Sequence, residues 1–120
     1  MRRSEFERLV YRALGQIPPE LRQYVDNVDI VVEDWPTREQ LLGSGIEEGE
    51  LLLGLYEGIP LPERYDYNMV LPDKITLFQK AIEQVCETKE DIVREVRDTV
   101  IHEVAHHFGI DDQRLHELGI

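Results

Sequence analysis

The longest regular pattern in this sequence is an apolar stripe that runs through residues 88–108. Apolar residues recur there at intervals of three and four, which is the spacing of one face of an α-helix. The members of the stripe are Ile92, Val93, Val96, Val100, Ile101, Val104, Ala105 and Phe108. Thr88, followed three residues later by Asp91, is typical of a helix start. We therefore predict one long helix that must bury this stripe against a second layer of structure.

Shorter segments elsewhere in the chain predict that second layer. Strands are predicted at residues 28–33, 51–57 and 74–78, with a long loop at 58–68 and an edge strand or hairpin at 68–71. Further helical patterns flank them at residues 6–14, 19–25, 37–43, 81–86 and 112–118. This order predicts an α+β fold in which a short mixed sheet of three to four strands packs against the long helix. We expect residues 1–120 to form a single domain, with Trp35 in its core.

The end of the long helix carries the run HEVAHHFGIDD, from His102 to Asp112. His102 and His106 are four residues apart and lie on one face of a helix, so both imidazoles could bind one metal ion. Glu103 lies about a third of a turn away, where it can hold a water molecule instead of the metal. Gly109 can end the helix in a left-handed conformation, after which the chain can turn back and offer Asp112 as a third ligand.

These side chains have the ligand chemistry of zinc, which takes imidazole nitrogens and carboxylate oxygens and keeps one position for water in catalytic sites. We therefore predict one Zn²⁺ per chain, bound by His102, His106 and Asp112. Water bound to such a metal has a pKa of about 7, and Glu103 would act as the general base that takes its proton. The alternative third ligands are Asp111, His107 and His116. One of the two aspartates could instead cap the last helix.

The pattern His102-Glu103-x-x-His106-x-x-Gly109-x-x-Asp112 resembles the extended zinc motif of metzincin-like peptidases, in the variant with aspartate as third ligand. The chain also resembles the minimal zincins, a family of small bacterial proteins grouped with the zinc metallopeptidases. The matching stretches are LLLGLYEGIPLPER, VLPDKITLFQ and VIHEVAHHFGIDDQRLHELG. The resemblance implies a zincin-like fold, with a short mixed sheet packed on the active-site helix. Larger metzincins also carry a methionine turn after the third ligand, whereas both methionines of this chain precede Asp112.

Charge and composition limit the partners that suit this chain. Its net charge of −12 disfavours a nucleic-acid backbone or an anionic membrane as the main partner. The single cysteine, Cys86, cannot form an internal disulfide, and no signal peptide or transmembrane span is visible, so we expect a cytoplasmic protein.

The function predicted from these observations is a zinc-dependent metallopeptidase that hydrolyses peptide or protein substrates through a metal-bound water activated by Glu103. An edge strand near residues 68–71 could pair with the substrate backbone, and the candidates for stabilising the oxyanion are Tyr56, Tyr65 and Tyr67. Two alternatives stay open: a zinc-binding regulatory or interaction module without turnover, and a metal-dependent hydrolase of another substrate such as RNA. The similar RNA-processing motif lacks the glutamate and requires a basic groove, which the net charge disfavours.

Overall fold

The computed structural model describes residues 1–58 and 72–119, and this part of the chain contains six helices and three strands. The helices are α1 (Arg3–Leu14), α2 (Pro19–Val25), α3 (Arg38–Ser44), α4 (Gln79–Val85), α5 (Lys89–His107) and α6 (Asp112–Glu117). The strands are β1 (Val28–Glu33), β2 (Gly54–Glu57) and β3 (Asp73–Phe78). The predicted long loop and the strand at 68–71 fall outside the described residues, apart from residue 58.

The three strands form one mixed sheet in the order β1-β3-β2. Strand β1 pairs in parallel with β3, and β2 pairs with β3 in the antiparallel direction. Among the strands within residues 1–58 and 72–119, β2 therefore lies at one edge of the sheet. The α+β prediction, with a mixed sheet of three to four strands against a long helix, is confirmed.

Strand β2 is shorter than the predicted segment 51–57, because it begins at Gly54. The register pairs Gly54 with Leu77, and the preceding residue, Leu53, still accepts a hydrogen bond from the Phe78 N–H at 2.9 Å. Residues 51 and 52 would have to pair with residues beyond Phe78. Those residues belong to helix α4, whose backbone is not available for a strand ladder.

The core lies between α5, α1 and one face of the sheet. The stripe of α5 is buried from Ile92 to Ala105, and it packs in one cluster with Ile75 and Leu77 of β3 and with Phe6 of α1. Phe108, in contrast, is 47% exposed, because it follows the last residue of the helix and no longer shares the direction of the stripe. Within residues 1–58 and 72–119, no helix has both the length and the apolar composition needed to cross a bilayer.

The prediction that Trp35 lies in the core is wrong, since its side chain is 47% exposed. It stands between β1 and α3, and α3 has no buried side chain. Trp35 is therefore not part of the buried cluster that forms the core. It lies instead on the surface next to Pro36 and Leu51, against a small cavity that these residues line.

The start of α5 is set by the predicted capping box. The Thr88 hydroxyl accepts a hydrogen bond from the Asp91 N–H at 3.0 Å, and the Asp91 carboxylate accepts one from the Thr88 N–H at 3.1 Å. The backbone N–H groups of Glu87 and Thr88 lower the pKa of Asp91 below its usual value of 3.8. The ionised Asp91 carboxylate therefore stabilises the fold fully above pH 3.8. This stabilisation is lost as the pH falls through the lowered pKa of Asp91.

Replacing Thr88 with alanine should lower the free energy of unfolding by about 1 kcal/mol, because one N–H group at the start of α5 loses its acceptor. Urea denaturation followed by circular dichroism measures this change, with Thr37→Ala at the start of the peripheral helix α3 as a comparison, since it removes the same type of cap. We expect the smaller effect at Thr37, because α3 buries no side chain. An equal or larger loss of unfolding free energy in Thr37→Ala would contradict the larger contribution that we expect from the cap of α5.

Candidate metal and catalytic site

The chain reverses direction at the end of α5 through a turn centred on Gly109. Gly109 has a φ of 74°, in the left-handed region that glycine adopts without strain. The Ile110 N–H donates to the Ala105 carbonyl at 2.7 Å, and the Gly109 N–H donates to the His106 carbonyl at 3.3 Å. These two bonds form a Schellman motif. The turn that the sequence predicted at Gly109 is confirmed, and α6 follows directly from it.

His102 and His106 both lie on the exposed side of α5, with ring centroids 6.3 Å apart. The Nδ1 atom of His102 lies 2.7 Å from the backbone carbonyl oxygen of Asp98. Because a carbonyl oxygen can only accept, Nδ1 must carry a proton in this contact, and in the neutral ring the lone pair then lies on Nε2. A ring held in this way is typical of a metal-binding histidine. The two imidazoles therefore fit the donor chemistry of a zinc ion.

Glu103 is partly buried and is held by the edge of the sheet. The backbone N–H of Tyr56, on β2, donates a hydrogen bond to Oε1 of Glu103 at 2.9 Å. The other oxygen, Oε2, has no hydrogen-bond partner within residues 1–58 and 72–119. The carboxylate is thus fixed at one oxygen and available at the other, which is the state that a general base requires. No feature of the sequence indicated this contact, because it uses the backbone of a strand residue.

His102 lines two cavities on the surface, and the first of them lies beside β2. The first has a volume of about 410 Å³ and is lined by Leu52, Leu53, Gly54, Glu95, Asp98, Thr99, His102 and Glu103. The second has a volume of about 290 Å³ and is lined by Gln16, Pro18, Arg97, Asp98, Ile101, His102 and Gly119. His102 and Glu103 therefore share the lining of the first cavity with Gly54 of β2.

Asp112 is exposed and is the first residue of α6, whereas Asp111 is the cap of that helix. An oxygen of the Asp111 side chain accepts a hydrogen bond from the Arg114 N–H at 2.8 Å. Capping therefore does not occupy Asp112. Within the described ranges 1–58 and 72–119, no three His, Cys, Asp or Glu side chains lie close enough together to hold a metal ion. The structure thus brings the two histidines together but does not place Asp112 with them, and its role as third ligand stays a prediction.

Of the alternative third ligands, His107 faces a different part of the molecule. Its ring stacks on that of Tyr56, with centroids 3.9 Å apart and an interplanar angle of 16°. Its Nε2 lies 3.9 Å from a carboxylate oxygen of Asp73. His116 is exposed on α6. His107 therefore supports the packing of α5 against β2 and does not turn toward the histidine pair.

The hydroxyl of Tyr56 is also engaged away from the histidine pair, because it donates to the Asp73 carboxylate at 2.8 Å. In this arrangement Tyr56 contributes to the site through its backbone, and its side chain holds the strand in place. The other two tyrosines considered for the oxyanion, Tyr65 and Tyr67, lie outside the described residues.

Replacing Gly54 with alanine should disturb the contact between β2 and α5. An added Cβ would lie 2.6 Å from Cγ2 of Thr99 and 3.3 Å from the Thr76 carbonyl oxygen. We expect the free energy of unfolding to fall by about 1–3 kcal/mol, as for other overpacked contacts. Chemical denaturation measures the change. The same substitution in a Thr99→Ser background should cost less, since serine lacks Cγ2, and an equal cost in both backgrounds would contradict this account.

Comparisons with known proteins bear on the fold and the family of this chain. The family model of zincin-like metallopeptidases matches residues 25–120. A solved structure of a conserved hypothetical protein from Thermus thermophilus has a similar fold, with a TM-score of 0.57 and 24% sequence identity over 90% of this chain and 94% of that chain. No curated protein matches the sequence. The family match covers the sheet, helix α5 and the histidine pair, and the chain therefore belongs to the zincin-like metallopeptidases, a family associated with zinc.

Proposed function

We propose that this protein is a zinc-dependent peptidase whose catalytic centre lies along the first cavity, at the exposed side of α5. The observation that supports the proposal best is the hydrogen bond of 2.9 Å from the edge-strand backbone to Glu103, in a cavity whose wall also contains His102. A solvated helix face would not need its glutamate oriented by a neighbouring strand. A general base does need such orientation, because proton transfer depends on its position.

The residues that would hold the zinc ion are His102, His106 and Asp112. Bound there, zinc would polarise the peptide carbonyl and make the attacking water more acidic. The hydrogen bond from His102 Nδ1 to the Asp98 carbonyl leaves Nε2 as the ring nitrogen that would bind the metal. The turn at Gly109 brings the start of α6 directly after the end of α5. The proposal includes that Asp112 moves toward His102 and His106 when zinc binds.

Glu103 would carry the proton during hydrolysis. Its Oε2 would accept a proton from the attacking water as the water oxygen forms a bond to the peptide carbonyl carbon. The same oxygen would then deliver this proton to the amine nitrogen as the carbon–nitrogen bond breaks, and the second proton of the water would stay on the new carboxyl group. Oε1 would stay bonded to the Tyr56 N–H throughout, which keeps Oε2 directed into the cavity.

The substrate in this proposal is a peptide or protein segment that enters the first cavity from the side of Leu52 and Gly54. The volume of about 410 Å³ is in the range of small ligand pockets, enough for a short part of a peptide. The negative charge of the chain disfavours RNA as the substrate. We place the activity in the cytoplasm, since the single cysteine requires no oxidising compartment.

The test is zinc binding followed by peptide cleavage. Metal-free protein is loaded with zinc, its zinc content is measured by mass spectrometry, and it is incubated with a mixed peptide library. We expect one zinc per chain and cleavage that stops with a chelator and returns when zinc is added back. Stoichiometric zinc without any cleavage would instead support a zinc-binding module without turnover. A protein that binds no zinc would contradict both functions.

A further inference from the structure

A second surface of the molecule is apolar and lies outside the site described above. Helix α3 has no buried side chain, and Leu42 on it is 75% exposed. Trp35 and Leu51 next to it are 47% and 41% exposed. Single exposed apolar residues are common, but a contiguous group of them on a small protein often marks an interaction site.

These residues line two adjoining cavities. One, of about 560 Å³, contains Leu41, Leu42 and Ile46, and the other, of about 180 Å³, contains Trp35, Leu41 and Leu51. Leu41 and Glu50 line both. The two cavities therefore adjoin at Leu41 and Glu50 and share an apolar part of their lining, and we call them together the α3 groove.

The charged lining of the α3 groove is mainly acidic. Glu47, Glu48 and Glu50 line it with one basic residue, Arg38, and all four are exposed. None of these three carboxylates forms a salt bridge with another residue in the described parts of the chain, 1–58 and 72–119. Three such carboxylates beside an apolar lining complement a segment that carries apolar anchors among lysines or arginines. A second copy of this chain, with a net charge of −12, would bring like charge against these carboxylates.

We propose that the α3 groove binds a basic polypeptide segment of another protein, with apolar side chains on its apolar lining and lysines or arginines against its carboxylates. The groove also borders the cavity of the proposed catalytic centre. Leu52 lines both the smaller cavity of the groove and the cavity that contains Glu103. The proposal includes that a segment bound in the groove continues past Leu52 toward Glu103, so that the groove serves as a substrate-docking site. That last step rests on the proposed peptidase function, whereas the binding itself does not.

Trp35 allows the binding to be measured directly, because it is the single tryptophan of the chain and lies in the groove. The experiment uses the Glu103→Gln variant without added zinc, so that hydrolysis is suppressed. The probes are a synthetic peptide of leucines flanked by lysines and a matched peptide with glutamates in place of the lysines. We expect a saturable change in Trp35 emission with the basic peptide, weakened by salt, and none with the acidic peptide. Equal binding of both peptides would overturn the proposal.

Variants of the α3 groove test whether the basic peptide binds in the groove or is only attracted by the negative charge of the whole chain. Leu42→Ala and the double change Glu48→Lys with Glu50→Lys should each weaken binding by about tenfold or more. The matched controls are Tyr11→Ala and Glu7→Lys, which change exposed residues of α1 that line neither cavity, and both should bind as the parent does. Unchanged affinity in the groove variants would overturn the proposal. So would sedimentation that shows self-association lost in Leu42→Ala, since the occupant would then be a second copy.

Cleavage assays with the zinc-loaded parent then test the substrate step alone. We expect leucine-containing peptides with lysines to be cleaved faster than their glutamate counterparts, and the groove variants to raise KM with little change in kcat. If the basic peptide binds the groove but is cleaved no faster than the acidic one, the docking site stands and its role in substrate choice fails. If nothing is cleaved, the proposed peptidase function fails, and the binding result is unaffected.

Discussion

Replacing Glu103 with glutamine should reduce peptide hydrolysis by about 10²- to 10⁴-fold while zinc stays bound, which is the usual contribution of a general base. Glutamine has the shape of glutamate and keeps an oxygen that can accept the hydrogen bond from the Tyr56 N–H. The fold and the histidine pair should therefore be unchanged. What is lost is the basic oxygen that takes the proton from water. Single-turnover cleavage of a library-derived peptide, together with zinc content, measures both parts of the expectation.

Two further variants make this result specific to proton transfer. Glu90→Gln changes an exposed glutamate in the first turn of the same helix, where it pairs with Arg12, and it should retain the parent activity. Glu103→Asp keeps a carboxylate but withdraws it from the cavity. Its rate of peptide hydrolysis should lie between the rates of the parent and of the glutamine variant. A Glu103→Gln protein that cleaves peptide as fast as the parent would exclude Glu103 as the base.

Much of the architecture could be predicted because it depends on local signals. The start of α5 follows from the reciprocal bonds of Thr88 and Asp91, and its end follows from a glycine that alone tolerates a φ of 74° without strain. Strand β1 has the predicted bounds, residues 28–33, because its β-branched residues are compact and its flanks are clear. Spacing of four along a helix likewise placed His102 and His106 on one face.

Other features depend on contacts between distant segments and left no trace in the sequence pattern. The bond from the Tyr56 N–H to Glu103 uses a backbone group that every strand residue possesses. Trp35 lies in the connection to α3, a helix without a buried side chain, and the hydrophobic residue type alone does not reveal this. Strand β2 stops short of Leu51 because its partner strand ends at Phe78. In each case the outcome depends on where another helix or strand ends or lies, which a local sequence pattern does not contain.

Replacing His106 with alanine should weaken zinc binding by more than about 100-fold, because a direct ligand should cost at least as much as the partners that only orient one. The matched control is His107→Ala, which removes the adjacent imidazole of the same helix. His107 stacks on Tyr56 instead of facing His102, so its loss should leave zinc affinity within a few-fold of the parent and lower stability slightly. Competition with a chromophoric chelator measures the affinities, and thermal melting without zinc measures the stability.

The pair Asp111 and Asp112 extends the same comparison to the third ligand. Asp111→Ala should lower the free energy of unfolding by about 1 kcal/mol, because α6 loses its cap, with little effect on zinc. Asp112→Ala should leave stability of the metal-free protein almost unchanged and should weaken zinc binding, because its carboxylate is not used in the cap. Comparing the two variants thus separates an effect on stability from an effect on zinc binding. If Asp112→Ala binds zinc as tightly as the parent, the third ligand lies elsewhere, and a His116→Ala variant would then identify or exclude the imidazole on α6.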